Sequence, residues 1–482
     1  MVATASPNRL TEPGPGTSRR AIGILAFAFL AFVVYGSLVP LDYTPIPWDE
    51  AVARFRNIRF LELGIGSRAD WVANLLLFIP LTFLWIGWLW PRSLSWRLTA
   101  SLGVWVAAVA LSLGIEFTQL FFPPRTVSQN DIFAESIGGL IGIGLWWWTG
   151  PAIWSWIERW REARGVTSVA EYLLWAYLAG MFFYNVLPLD LTISPVEIYH
   201  KWKAGGVNLI PFAYPMEGVV EHIYAVAVDA VLWVPVSLLW VVSGRRSPVN
   251  AFWWTLAAAL LLEVMQFFVY SRVSDVTDLI TAAVGGGVGA IIGARLPEQV
   301  VRGSAALKEE DRTVRNSRNL LPWTLLGVVL WTCIVCSLFW YPFEFEMDRE
   351  FLRERIPLLT QVPFQNYYFG TEFRAVTEVF HKVLFLAPLG ALLGLARIQI
   401  PRFSPWRAVF GIASALVILG VPLLIELGQV AMPEKHPDST DWFLMVFGAA
   451  AGFVLVHIVR NKIVLSSRPR PAQAPTANGD PP

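Results

Sequence analysis

LGIEFTQLFFPPRTVSQNDIFAESIGGLIG, residues 113–142, sets Glu116 and Gln119 three residues apart in an apolar run, and so on one helix face. Arg125 follows the glutamate by nine residues and Asp131 by fifteen; Gly138 and Gly142 follow by twenty-two and twenty-six. The same offsets recur from Glu263, giving Gln266, Arg272, Asp278, Gly285 and Gly289. They recur again from Glu426, giving Gln429, Lys435, Asp441, Gly448 and Gly452. A frame repeated this way marks a triplicated module whose core is a helix, a loop and a second helix.

Composition places that module in a membrane. The chain of 482 residues is 55% hydrophobic and only 15% charged, well below the ~25% charged residues of soluble domains. A formal net charge of +1 gives no reason to expect a nucleic-acid partner. The 24 tryptophans gather where spans should meet headgroups, at 85–96, 146–148 and 253–254, as an aromatic belt does.

Apolar runs long enough to cross a bilayer divide the chain into three sets of four. The first holds 21–39, 71–90, 98–122 and 132–149; the second 170–187, 224–242, 251–270 and 276–296. The third holds 320–339, 375–396, 408–432 and 442–459. The expected architecture is therefore an all-α integral membrane protein of about 12 transmembrane helices in three parallel four-helix repeats. The repeats span 19–150, 168–296 and 320–460, with a disordered tail at 1–18, a charged cytoplasmic linker at 297–319 and a disordered tail at 461–482. Arg92, Arg97, Arg245, Arg246, Arg397, Arg402 and Arg407 lie in the short turns of one side. By the positive-inside rule that side is cytoplasmic, and both termini are inside. An even number of spans per set keeps all three copies the same way up, which excludes inverted repeats.

The opposite, outer side carries one long loop per set. Each loop opens with proline, an apolar residue and an acid: Pro40-Leu41-Asp42, Pro188-Leu189-Asp190 and Pro342-Phe343-Glu344. Amphipathic stretches at 48–60, 195–203 and 347–356 are expected to form helices on the outer surface. Pro80, Pro235 and Pro388 sit inside the second spans, where they are expected to kink the helix. Six residues before them lie Asn74, Asp229 and Lys382.

Each glutamate of the frame lies roughly 9 Å below the outer end of its span at 1.5 Å per residue. An acid at that depth needs a partner or water. The base nine residues on is the expected partner, so Glu116–Arg125, Glu263–Arg272 and Glu426–Lys435 should pair. The aspartate fifteen residues on should cap the last helix. Copy two adds Asp275 and Asp229 to Glu263 and Asp278, a crowd of carboxylates that a cation, if one bound at all, would prefer, whereas Lys382 in copy three should approach Glu426. The candidate outer-face polar site is thus Asn74, Glu116, Gln119, Arg125 and Asp131; Asp229, Glu263, Gln266, Arg272, Asp275 and Asp278; and Lys382, Glu426, Gln429, Lys435 and Asp441. It could pin a helical hairpin, form a mouth for a ligand or ion, or carry out catalysis. The G-x-x-x-G pairs serve close helix packing.

These motifs resemble the VanZ-like family, named for the teicoplanin-resistance protein VanZ. The resemblance rests on a polar residue before L-F-x-P-L, then I-E-x-x-Q, Arg, Asp and G-x-x-x-G. Copy one shows it as Asn74 to Leu81, Ile115-Glu116, Gln119, Arg125, Asp131 and Gly138. Copy two shows Leu232-Trp233-Val234-Pro235, the loop Asn208-Leu209-Ile210-Pro211-Phe212, and its own acid, base and glycines. Copy three departs most, with Lys382 and Lys435 in place of Asn and Arg; the family's Asn four residues after the Asp is Glu135, Ala282 or Met445 here. The resemblance implies a polytopic envelope protein linked to reduced action of glycopeptide antibiotics.

The residues themselves argue for a non-enzymatic role. The five histidines are His200, His222, His381, His436 and His457, and none recurs between copies. Cys333 and Cys336 lie in an apolar helix as core residues. Neither a metal nor a cofactor is expected. The leading reading is action at the outer face of a bacterial cytoplasmic membrane, with membrane lipids, an envelope precursor or a glycopeptide as partner. A transporter or flippase of an envelope lipid or small ion is one alternative. A hydrolase or transferase using Glu and Asp is another.

Overall fold

In lipid every backbone N–H and C=O must find a partner within the chain, so apolar runs of about 20 residues fold as helices. The computed structural model describes residues 17–60, 65–163, 165–187, 191–192, 194–213, 219–244, 247–296, 320–368, 372–401 and 403–465. Repeat one comprises α1 (Thr17–Leu38), α2 (Trp48–Arg56), α3 (Ile65–Leu89), α4 (Leu94–Gln119) and α5 (Gln129–Glu162). Repeat two comprises α6 (Val166–Val186), α7 (Pro195–Lys203), α8 (Val219–Val242), α9 (Pro248–Phe267) and α10 (Val276–Arg295). Two short parallel strands, β1 (Val207–Asn208) and β2 (Ser274–Asp275), tie its loops together. Repeat three comprises α11 (Leu321–Trp340), α12 (Arg349–Arg355) with a 3₁₀ turn (Ile356–Thr360), α13 (Gln365–Tyr368), α14 (Glu372–Gln399), α15 (Trp406–Val430) and α16 (Ser439–Leu465).

Among the described residues eleven helices are long and apolar enough to span a membrane. The remaining expected span, 132–149, is the first part of the 34-residue α5; Glu135 and Trp146 to Trp148 lower its hydropathy. The protein is an all-α membrane protein of three like modules. The amphipathic stretches at 48–60, 195–203 and 347–356 fold as α2, α7 and α12. Pro80, Pro235 and Pro388 lie inside continuous helices.

Within each repeat the second and fourth long helices make the closest contact. A Cβ on Gly138 or Gly142 would run into the carbonyl oxygen of Leu75 or Ile79. Gly285 and Gly289 meet those of Ala230 and Val234, and Gly448 and Gly452 those of Val383 and Ala387. In all three pairs these carbonyls lie five residues and one residue before the helix proline, so one backbone-to-backbone seam recurs.

Contacts between repeats align their ends. At the end carrying the conserved-spacing glutamates, the Tyr35 hydroxyl donates to the Pro363 carbonyl (2.9 Å) and the Tyr184 hydroxyl meets His381 Nε2 (2.9 Å). At the other end Gly165 N–H donates to Lys462 O (3.3 Å), and Lys462 Nζ donates to Trp160 O. The repeats therefore run parallel.

Two expectations need adjusting. Helix α5 continues past residue 150 to Glu162, and α16 past 460 to Leu465, because buried Lys462 ties the two helix ends together. Tryptophans do not form only a belt: Trp148 is exposed, but Trp146 and Trp154 are buried in a cluster with Trp85, Trp88 and Trp90. His381 is half-buried between repeats two and three. Residues 1–16, the turn Pro188-Leu189-Asp190, Arg245, Arg246, the 297–319 linker, Arg402 and residues 466–482 lie outside the described residues, as does the side chain of His222.

Candidate functional site

The frame's glutamates share one partner, and it is not the base. Ser128 N–H donates to Glu116 Oε2 (3.1 Å), Asp275 N–H to Glu263 Oε2 (3.1 Å), and Asp438 N–H to Glu426 Oε2 (2.9 Å). Each donor lies twelve residues beyond its acid. Glu116 and Glu426 are 2% and 1% exposed. A backbone amide can hold a carboxylate at that depth without bringing a second charge out of water.

The same position caps the last helix. Ser128, Asp275 and Asp438 accept the N–H of Asp131 (3.2 Å), Thr277 (2.7 Å) and Thr440 (2.7 Å) on their side chains. The aspartates fifteen residues on, expected as caps, therefore sit one turn inside the helix instead. Ser128 Oγ also donates to Asp131 Oδ2 (2.8 Å), a reciprocal capping arrangement. The loop before the second span closes over this cap. In copy two Asn208 Nδ2 donates to Asp275 Oδ2 (2.9 Å), and Phe212 N–H donates to Thr277 Oγ1 (3.0 Å). In copy three Asn366 Nδ2 donates to Asp438 Oδ2 (3.1 Å), and Phe364 N–H donates to Thr440 Oγ1 (2.6 Å). Phe212 and Phe364 both hold left-handed backbone, φ 60° and 68°.

The residue six before the proline faces the aspartate at +15 in every copy, but the chemistry differs. Asn74 Nδ2 donates to Asp131 Oδ1 (2.8 Å). Asp229 lies within electrostatic reach of Asp278 and Asp275, and Asp278 shares a side-chain hydrogen bond with Glu263. Lys382 forms an ion pair with Asp441 and approaches Glu378 Oε2 (3.8 Å), and its charge also attracts Glu426, as expected. One geometry thus holds amide with acid, acid with acid, and cation with acid. Among the described residues no group of three or more His, Cys, Asp or Glu has metal-holding geometry. As placed, the copy-two carboxylates do not form a metal centre.

The bases reach carbonyls. Arg125 Nη2 donates to Gly36 O; Arg272 donates to Leu187 O (2.8 Å) and to Tyr184 O. These are the last carbonyls of the first span, which lack helical partners and attract a cation. The Oε2 of the glutamate is already taken by the +12 amide. Arg125 lends Glu116 only a weak electrostatic attraction. The glutamines reach the same stretch of chain: Gln119 Nε2 donates to Ser37 O (2.8 Å), and Gln266 Nε2 to Asn185 O (3.3 Å) and its side-chain Oδ1 (3.0 Å). Gln429 is buried, with its backbone carbonyl turned to Arg355.

A second cation, unremarked in the sequence, closes the third span. Lys201 on α7 donates to the carbonyls of Gln266 (2.6 Å), Phe267 (3.1 Å) and Val269 (2.7 Å). Arg355 on α12 does the same for Val430 (2.9 Å), Gln429 (3.4 Å) and Lys435. Burial holds the Arg355 guanidinium below its ordinary pKa. In copy three, then, Lys435 supplies a carbonyl to the cap rather than a charge to Glu426. Copy one differs: Arg54, at the matching seventh position of α2, pairs with Glu50 (2.5 Å) beside a cavity of about 490 Å³. A base thirteen or fourteen residues after the loop proline was the available signal.

Helices of this length and composition, polar cups at one end and three like modules define a multi-pass membrane protein built by internal triplication. The family model VanZ/LLP1 matches it three times, over residues 21–150, 174–296 and 325–460, and the chain belongs to that family. No curated protein matches it. No solved structure matches it either.

Proposed function

We propose that the protein acts without covalent catalysis at the outer face of a bacterial cytoplasmic membrane. There its polar cups would engage envelope lipids or lipid-linked precursors and so alter the action of glycopeptide antibiotics. The observation that carries this reading is the use made of each cup's acids. The glutamate is held by the +12 amide, the cap by the helix and the preceding loop, and no histidine of the described residues joins either. A group so engaged positions structure rather than attacks a substrate. The surface helices α2 and α12 lean on the same end, and the Lys and Arg of the short turns favour the opposite end as cytoplasmic.

Two measurements test it. In a background without Cys333 and Cys336, Thr126→Cys should react with a membrane-impermeant maleimide in intact cells and Ser304→Cys should not; the reverse pattern overturns the outer face. Loss of the gene should raise binding of fluorescent teicoplanin to intact cells, with restoration by the wild-type chain. Unchanged binding overturns the antibiotic link.

A further inference from the structure

We infer that the crevice between repeats two and three is a phospholipid site, with acyl chains held between the modules and the phosphate at Lys435. This does not depend on the polar cups. The crevice encloses about 1100 Å³ between α6 and α8 on one side and α11 and α14 on the other, at or above the upper end of the ~300–1,000 Å³ common for ligand pockets. Val231, Leu330, Ile334 and Leu384 line it and remain exposed, so apolar surface from both walls is left without cover from the chain. Around Gly180 nothing lies within 4 Å of where a Cβ would be.

Polarity along the crevice is graded. Its deep polar side chains are already bonded: the Tyr177 hydroxyl donates to Leu232 O (2.7 Å) and Trp331 Nε1 to Phe385 O (2.9 Å). Those two offer water no free donor, whereas an acyl chain needs none. At the glutamate end stand Tyr184, His381 and Lys435. Lys435 makes no ion pair among the described residues, and Arg272 lies 5.7 Å from the Tyr184 ring. Of the nearby acids, Glu378 approaches Lys382 (3.8 Å), while Asp229 and Asp278 act on Tyr184 by charge alongside Arg272. A basic mouth above an apolar slot at membrane depth matches a phosphate above hydrocarbon chains.

The test uses the full chain reconstituted in vesicles of phosphatidylethanolamine and phosphatidylglycerol, with a phosphatidylglycerol bearing a diazirine in its acyl chain. Photolabel should concentrate on peptides of the crevice over the exposed face of α15 around Ile412 and Leu416. Gly180→Trp combined with Ala227→Trp should reduce crevice labelling to the α15 level while α15 labelling stays constant. Lys435→Ala should lower it about fivefold, the effect of one basic residue at an anionic surface. Uniform labelling of the wild type, or crevice labelling that survives both tryptophans, would overturn the site. Should the tryptophan variant not fold, the wild-type distribution and the Lys435→Ala response decide alone. Displacement of the label by an equal amount of polyprenyl phosphate, but not by unlabelled phosphatidylglycerol, would overturn the phospholipid assignment.

Discussion

Repeats two and three share a backbone plan and differ in charge. In both, the acid of the third span takes the +12 amide, the +12 aspartate caps the last helix, and a phenylalanine amide meets the +14 threonine. Yet the position six before the proline places Asp229 against Asp278 in one and Lys382 against Asp441 in the other. The frame is therefore held by backbone contacts and glycine seams, which tolerate any charge at that position. Function can diverge there without loss of the fold.

Substitutions at that position should expose the difference. Lys382→Ala would leave Asp441, 6% exposed, without its cation, at a cost of about 3–5 kcal/mol. Lys382→Asn, imitating copy one, should recover most of it by an amide bond to the aspartate. Thermal unfolding in detergent measures both, and a silent Lys382→Ala would mean the pair is incidental. A smaller effect sharpens the comparison by bringing in copy one. Lys201→Ala removes the cation from two carbonyls of α9 and one just beyond its end and should cost about 1–2 kcal/mol. Arg54→Ala removes only an exposed pair within one helix, worth less than ~0.5 kcal/mol. Equal losses from the two would show that Arg54 also caps its helix. The smallest change runs the other way: Asp229→Asn should gain roughly 1 kcal/mol by replacing a carboxylate that Asp278 and Asp275 repel with an amide able to donate to Asp278. A loss of stability would refute the account of repeat two.

Much of the site was legible because its spacing is covalent. Glu116, Glu263 and Glu426 and the glycines stand at fixed offsets, and helical geometry turns such offsets into shared faces. The +12 cap stood at a fixed offset too, but Ser128 in one copy and Asp in the others disguised a common role. Phe212 and Phe364 share a turn whose Asn lies before it in copy two and after it in copy three. Lys201 and Arg355 lie 62 and 71 residues before their glutamates; the 3₁₀ turn Ile356–Thr360 lies in the longer loop of copy three.

By itself the sequence determined a membrane protein of three parallel helical modules, since hydropathy, helix length and repeat offset are properties of neighbouring residues on one chain. Tertiary structure alone decided which partner each charge takes. An arginine placed to meet a glutamate could equally reach helix-end carbonyls, and the choice turned on distances between segments 85 or more residues apart, as from Arg272 to Leu187. It also decided the crevice between repeats two and three, because a gap exists only where separately folded walls stop short of each other.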